Sequence, residues 1–155
     1  MVSASRENAA LVRRYLTDVV AGGDTDALGI FLTDDAIDYQ PVLAERMDGK
    51  TEPPTYWCIL AAADIDIAID AVVAANDQVA VRGTITGIHR ESLLDLVPTG
   101  RSFEIACVWF CRIGGDRIKE IWSLPDGLSL RRQLDATRGE SPNRSSPHPT
   151  EQYQL

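Results

Sequence analysis

Trp122 and Asp126 close an apolar segment that reads DRIKEIWSLPDG, so a bulky aromatic and a carboxylate leave the same strand end and could converge on whatever the sheet encloses. A carboxyl group at the mouth of an apolar enclosure is costly to ionise, and can then take and return a proton near neutral pH. An aspartate at the start of a helix is equally an ordinary N-cap, so Asp126 carries both expectations, general acid/base chemistry and capping. Trp57, Trp109 and Trp122, with Tyr39, are candidates to line a pocket for a flat apolar ligand, although each would also suit a core. Arg82, on an otherwise apolar strand, could pair with Asp126 or with a substrate carboxylate. His89 ends a strand, where a lone histidine is more often a rim residue than a catalyst. No glycine-rich phosphate loop, Ser/His/Asp nucleophile set or metal-ligand cluster is present in the sequence, so hydrolases of those kinds and nucleotide enzymes are disfavoured.

Composition narrows the partners. The 155 residues carry a formal charge of -8, which disfavours attraction to phosphate backbones and anionic membranes; neither nucleic acid nor a membrane is expected as a partner. No apolar run approaches the roughly 20 residues that span a bilayer, and no basic start followed by an apolar core suggests export. Cys58, Cys107 and Cys111 show no C-x-x-C spacing and read as free thiols of a reducing cytoplasm.

The elements that must hold these groups follow from periodicity. Val12, Tyr15, Leu16 and Val19 keep helical spacing, which predicts a helix over about residues 6–21 with Ser5 as N-cap and Gly22-Gly23 as its stop. Asp24 caps a second helix through Leu28, Phe31 and Leu32, followed by a short strand through Ile37 and Tyr39. A third helix is expected from Pro53-Pro54, carrying Trp57. From Ile65 onward the period is two, giving a strand, a turn at Asn76-Asp77, and a second strand to His89 in which Gly83 and Gly87 mark bends or bulges. The strand from Arg101 to Arg112 is apolar on both sides, with Phe103, Ile105, Cys107, Trp109 and Cys111 on one face and Ala106, Val108 and Phe110 on the other. A strand apolar on both faces needs two coverings, and the second is expected to be another subunit. A hairpin at Gly114-Gly115-Asp116, a last strand to Ser123 and a helix over about 127–137 complete one domain, 1–138. Residues 139–155, rich in Pro, Ser and polar side chains, are expected to form a disordered or peripherally docked tail.

The order of elements is that of an α+β cone, a curved antiparallel sheet of about four long strands wrapped by three N-terminal helices and closed by a short C-terminal one. VRRYLTDVVAGGDTDALGIFLTDDAIDY resembles the opening of the nuclear transport factor 2-like superfamily. VAVRGTITGIHR, VPTGR and DRIKEIWSLPDGLSLRRQL resemble its SnoaL-like polyketide cyclase branch, over about residues 6–137.

The resemblance implies an apolar pocket, a dimer, and aldol-type ring closure without metal or cofactor, using an aspartate whose motif position is matched by Asp126. Tyr15 resembles the pocket tyrosine of ketosteroid isomerases of the superfamily, whose hydroxyl can hydrogen-bond an enolate oxygen. Those isomerases place a catalytic aspartate just before a proline on the first strand; here Gln40 precedes Pro41, and Asp38 lies two residues earlier on the same strand face. The cyclases often present a histidine from the sheet, and between Phe103 and Ile121 this chain has none. The expectation is a cofactor-independent enzyme acting on a hydrophobic carbonyl compound by cyclisation or isomerisation, working as a homodimer. Epoxide opening on the same fold and a non-catalytic binding or dimerisation module are the alternatives.

Overall fold

The computed structural model describes residues 2–39, 64–90 and 97–135. The helix expected from Pro53, Trp57, Cys58 and the tail from 139 onward lie outside them. Helix α1 (Val2–Arg14) runs directly into a π-helical segment, Tyr15–Ala21, and stops at Gly22-Gly23. It begins before Ser5, which therefore lies inside the helix and is not its cap. Asp24 does cap the next element: its Oδ1 accepts from Ala27 N–H at 3.2 Å, starting a 3-10 turn (Thr25–Ala27) that continues as α2 (Leu28–Phe31).

Among the described residues five strands follow, β1 (Leu32–Tyr39), β2 (Asp66–Ala75), β3 (Gln78–Ile88), β4 (Ser102–Gly114) and β5 (Arg117–Pro125), in the order β1-β5-β4-β3-β2. The four long strands are antiparallel, while the shorter β1 joins β5 in parallel. Register is lost between Leu32 and Ile37. There cationic side chains of β5 bridge the gap: Arg117 donates to Leu32 O at 3.2 Å and to Asp34, and Lys119 pairs with Asp35 at 3.3 Å. The Thr33 hydroxyl and the Lys119 ammonium nearby hold the Asp35 carboxyl below the usual carboxylate range.

Curvature has a local cause. Gly83 faces Ile69 across β2 and β3, and the register slips immediately beyond, at Asp70. A side chain at Gly83 would place its Cβ 2.6 Å from Ala68 O and 3.2 Å from Trp109 Cζ3, so the glycine lets β2 and the indole close in on the bend. The expected bulge is therefore at Gly83; at Gly87 the pairing with Phe103 is regular.

Along β4 the inward residues Phe103, Ile105, Cys107, Trp109, Cys111 and Ile113 are buried in one core with residues of α1, the π-helical segment and α2. Within one chain the outward residues are not covered: Val108 remains 41% exposed and Phe110 36%.

The last helix, α3 (Gly127–Leu134), does more than close the end. Strand β5 pairs with β4 only from Cys107 onward, leaving the earlier part of that edge open. Gln133 fills the opening with its side-chain amide, whose Oε1 accepts from Glu104 N–H at 2.9 Å while its Nε2 donates to Glu104 O at 2.8 Å. A neighbouring strand would offer the same donor and acceptor pair.

Candidate functional site

Sheet register decides which of the candidate residues can meet. Asp38 pairs with Ile121, Ile121 with Cys111, and Cys111 with Val79, so these four form one inward row across β1, β5, β4 and β3. The next row holds Ser123, Trp109 and Val81. Asp38 is 1% exposed, a carboxylate on the inner face of the sheet. Its charge is felt by its neighbours. Burial, and then the like charge of Asp38, push the Cys111 thiol up to about 12; burial does the same to Cys107, again with a contribution from Asp38.

Tyr15, at the start of the π-helical segment, is also buried, its ring tilted against Phe31 at a centroid distance of 6.1 Å. π-Helical turns recur at functional sites because they displace a side chain from the regular helical track.

His89 is buried at the far end of β3, about ten residues along the strand from the Asp38 row, roughly 30 Å at about 3.3 Å per residue. The V-P-T-G-R turn holds it. His89 N–H donates to Arg101 O at 2.9 Å, Gly100 N–H to His89 O at 2.8 Å, and Thr99 N–H to His89 Nδ1 at 3.3 Å. A left-handed Gly100 (φ 66°) makes this return possible. His89 is thus an interior residue rather than a rim one, and it is remote from Asp38.

Three expectations about convergence are corrected by the same register. Trp122 and Asp126 do not meet inside the sheet. Trp122 lies on the outer face, stacked on Tyr39 (4.9 Å between centroids, 9° between planes) and met edge-on by Phe110 at 5.8 Å. Tyr39 and Trp122 therefore face away from Trp109, and cannot share one pocket lining with it. Asp126 is exposed; its Oδ1 accepts from Ser129 N–H at 2.9 Å, the geometry of an N-cap. Arg82 is also on the outer face and reaches Asp70 at 4.0 Å rather than Asp126.

The inward row contains a residue the sequence reading passed over, Ser123, which is fully buried. The available signal was its spacing of two from Ile121, but Ile-Trp-Ser-Leu is apolar on alternate positions of either face, and either parity was open.

Comparisons with known proteins fit this architecture. The model of one family, described as SnoaL-like polyketide cyclase, matches residues 10–134. A comparison with curated proteins finds no match. Among solved structures, a protein from Jannaschia sp. CCS1 assigned as a SnoaL-like polyketide cyclase superposes with a TM-score of 0.75 at 16% identity, covering 85% of this chain and 94% of that one. IdmH from Streptomyces antibioticus, assigned as a polyketide cyclase, gives 0.69 at 24% identity over 82% of this chain and 97% of its own. AclR from Streptomyces galilaeus, assigned as a hydroxylase, gives 0.70 at 19% identity, covering 84% and 82%. At these identities the likeness is one of fold, and the fold carries assignments to more than one chemistry.

Proposed function

The chain belongs to the SnoaL-like polyketide cyclase family, and on that footing we propose that it is a cofactor-independent acid/base enzyme acting on an enolisable, hydrophobic carbonyl compound, by cyclisation or isomerisation. The observation that carries this reading is the position of Asp38, 1% exposed on the inner face of the sheet among Ile121, Cys111 and Val79. A carboxyl group on an inner face can take a proton from a bound carbonyl compound and later return one. Carbonyl chemistry of this type needs that exchange, because a proton leaves the carbon beside the carbonyl and another is delivered later in the reaction. The base is therefore Asp38, and Asp126 is the cap of α3.

The test uses 2-tetralone, a bicyclic ketone with acidic α-protons, in deuterated water. The protein should speed deuterium uptake at the α-carbon, and Asp38→Asn should lower that rate by about 100-fold or more while leaving the fold intact. Asp126→Asn, which can still cap the helix, should keep the rate. Unchanged exchange in Asp38→Asn would remove the base assignment.

The protein works as a homodimer in this reading. Support comes from the outer face, where Val108, Phe110, Tyr39, Trp122 and Leu124 form an apolar and aromatic surface that the chain itself leaves partly open. Surfaces of this composition are typical of subunit contacts.

A further inference from the structure

Two buried hydrogen-bond donors lie one row from Asp38. Trp109 is 1% exposed and Ser123 0%, and among the described residues neither Trp109 Nε1 nor Ser123 Oγ has a hydrogen-bond partner. They are directly opposed across β4 and β5. The benzo edge of Trp109 lies over Gly83 on β3, where Cζ3 would stand 3.2 Å from an added Cβ. The N–H lies across the indole from Cζ3, on the edge away from that contact.

An indole N–H or a hydroxyl left unpaired in the interior is destabilising, so two on one row form a standing cost that an incoming acceptor would relieve. Charge separates the two rows. Asp38 supplies the acceptor side of the interior, and the neutral donors stand on the next row: Ser123 is two residues along β5 and one strand across from Asp38, roughly 8 Å on the diagonal at about 3.3 Å per residue and about 4.8 Å between strands, and Trp109 is one strand beyond it. The α-carbon and the oxygen of a ketone are about 2.4 Å apart. A base and a donor pair at this spacing can flank both atoms with contacts of about 3 Å.

We infer that Trp109 Nε1–H and Ser123 Oγ–H together form the oxyanion site of this enzyme, receiving the carbonyl oxygen of the substrate while Asp38 faces its α-carbon. The inference rests on the proposed acid/base reading and adds the groups that stabilise its intermediate. In the step, the Asp38 carboxylate takes a proton from the α-carbon. The C–H electron pair becomes the C=C bond, and the C=O π pair moves onto oxygen, which accepts hydrogen bonds from both donors. Neither donor gives up its proton. The enolate then attacks a second carbonyl carbon of the same molecule, whose C=O π pair moves onto its oxygen and takes the proton from the Asp38 carboxylic acid, or it is reprotonated by that acid at another carbon of a conjugated skeleton; either way the Asp38 carboxylate is restored. Donors held in advance in a site closed to water need no reorganisation as the charge develops.

The test separates this assignment from that of the base. 2-Naphthol has the planar skeleton and oxygen position of the 2-tetralone enol, and naphthalene has the skeleton alone. Wild-type protein should bind 2-naphthol more tightly than naphthalene, by titration of the ligand's own fluorescence. Trp109→Phe and Ser123→Ala should each weaken 2-naphthol by about 10-fold, equivalent to about 1.4 kcal/mol, without changing naphthalene. Each should also slow α-deuterium uptake by 2-tetralone by at least that factor. Asp38→Asn should retain the preference for 2-naphthol, so failure of the base assignment would leave the naphthol result standing. No preference for 2-naphthol in the wild type, or equal losses for both ligands in the variants, would overturn the oxyanion site. If Trp109→Phe does not fold, Ser123→Ala and the wild-type comparison decide it.

Discussion

Thr99 holds His89 by a single ring nitrogen: its N–H donates to His89 Nδ1 at 3.3 Å and its hydroxyl oxygen lies 3.1 Å from the same atom. Arg101 N–H donates in turn to that hydroxyl oxygen at 3.3 Å, which leaves the hydroxyl proton for the imidazole. Because a backbone N–H can only donate, Nδ1 is the acceptor and the neutral ring carries its proton on Nε2. Nitrogen NMR of ring-labelled protein should show an unprotonated Nδ1 and a protonated Nε2. Thr99→Val, which keeps the backbone donor and loses the hydroxyl, should cost about 1 kcal/mol in urea unfolding. A protonated Nδ1 in the neutral protein would refute the arrangement.

Gln133 tests whether a side chain can stand in for a strand. Replacing it with Leu preserves bulk and removes both bonds to Glu104, leaving an exposed backbone donor and acceptor of β4 to water. Stability should fall by about 1 kcal/mol. Gln133→Glu keeps an acceptor for Glu104 N–H but sets a carboxylate against Glu104 O, and it should rescue only part of the loss. Equal stability of all three proteins would show that water replaces the amide at no cost.

The outer face predicts its own behaviour in solution. Phe110 meets the ring of Trp122 there, and a charge at its position would have to be buried in any subunit contact through this face. Sedimentation should give a dimer for the wild type and a monomer for Phe110→Lys, with unchanged circular dichroism. A wild-type monomer across micromolar concentrations would count against the assembly.

The two buried thiols make a prediction about pH. Burial raises Cys107 and Cys111 from 9.0 to about 12. A folded value above the unfolded one means stability that is complete below about pH 9 and is lost as pH rises through about 12. The urea midpoint should therefore fall over that range, and less steeply in a protein with Ser at both positions. At pH 8, iodoacetamide should leave the Cys107 and Cys111 peptides unmodified in the native state and label them once the protein is unfolded. Rapid native labelling of either peptide would contradict their burial.

Local chemistry in the sequence was enough for much of this. Asp24 is read as a cap and is one, because an N-cap depends on the few residues around it. Gly22-Gly23 ends its helix for the same reason, and the alternation of β2, β3 and β4 follows from a period of two. The family resemblance, carried by residues spread over most of the chain, anticipated the cone. Parity was another matter. Ile121, Trp122, Ser123 and Leu124 alternate in a way that either face could accept, and only pairing with β4 and β1 turns Ser123 inward beside Trp109 and Trp122 outward onto Tyr39. A slip of one residue would exchange the two sets, since side chains on a strand repeat every second residue. Asp126 looked like the acid of the site because it follows the apolar strand, and the fold leaves it exposed as a cap. Asp38 was legible only through the resemblance, as an aspartate two residues before the expected base position in the acidic stretch TDDAIDY, and it is interior because β1 joins β5 in parallel beyond its irregular start. The short-range signals set the elements; the choice of which carboxylate is desolvated is made by long-range pairing, which no local pattern encodes.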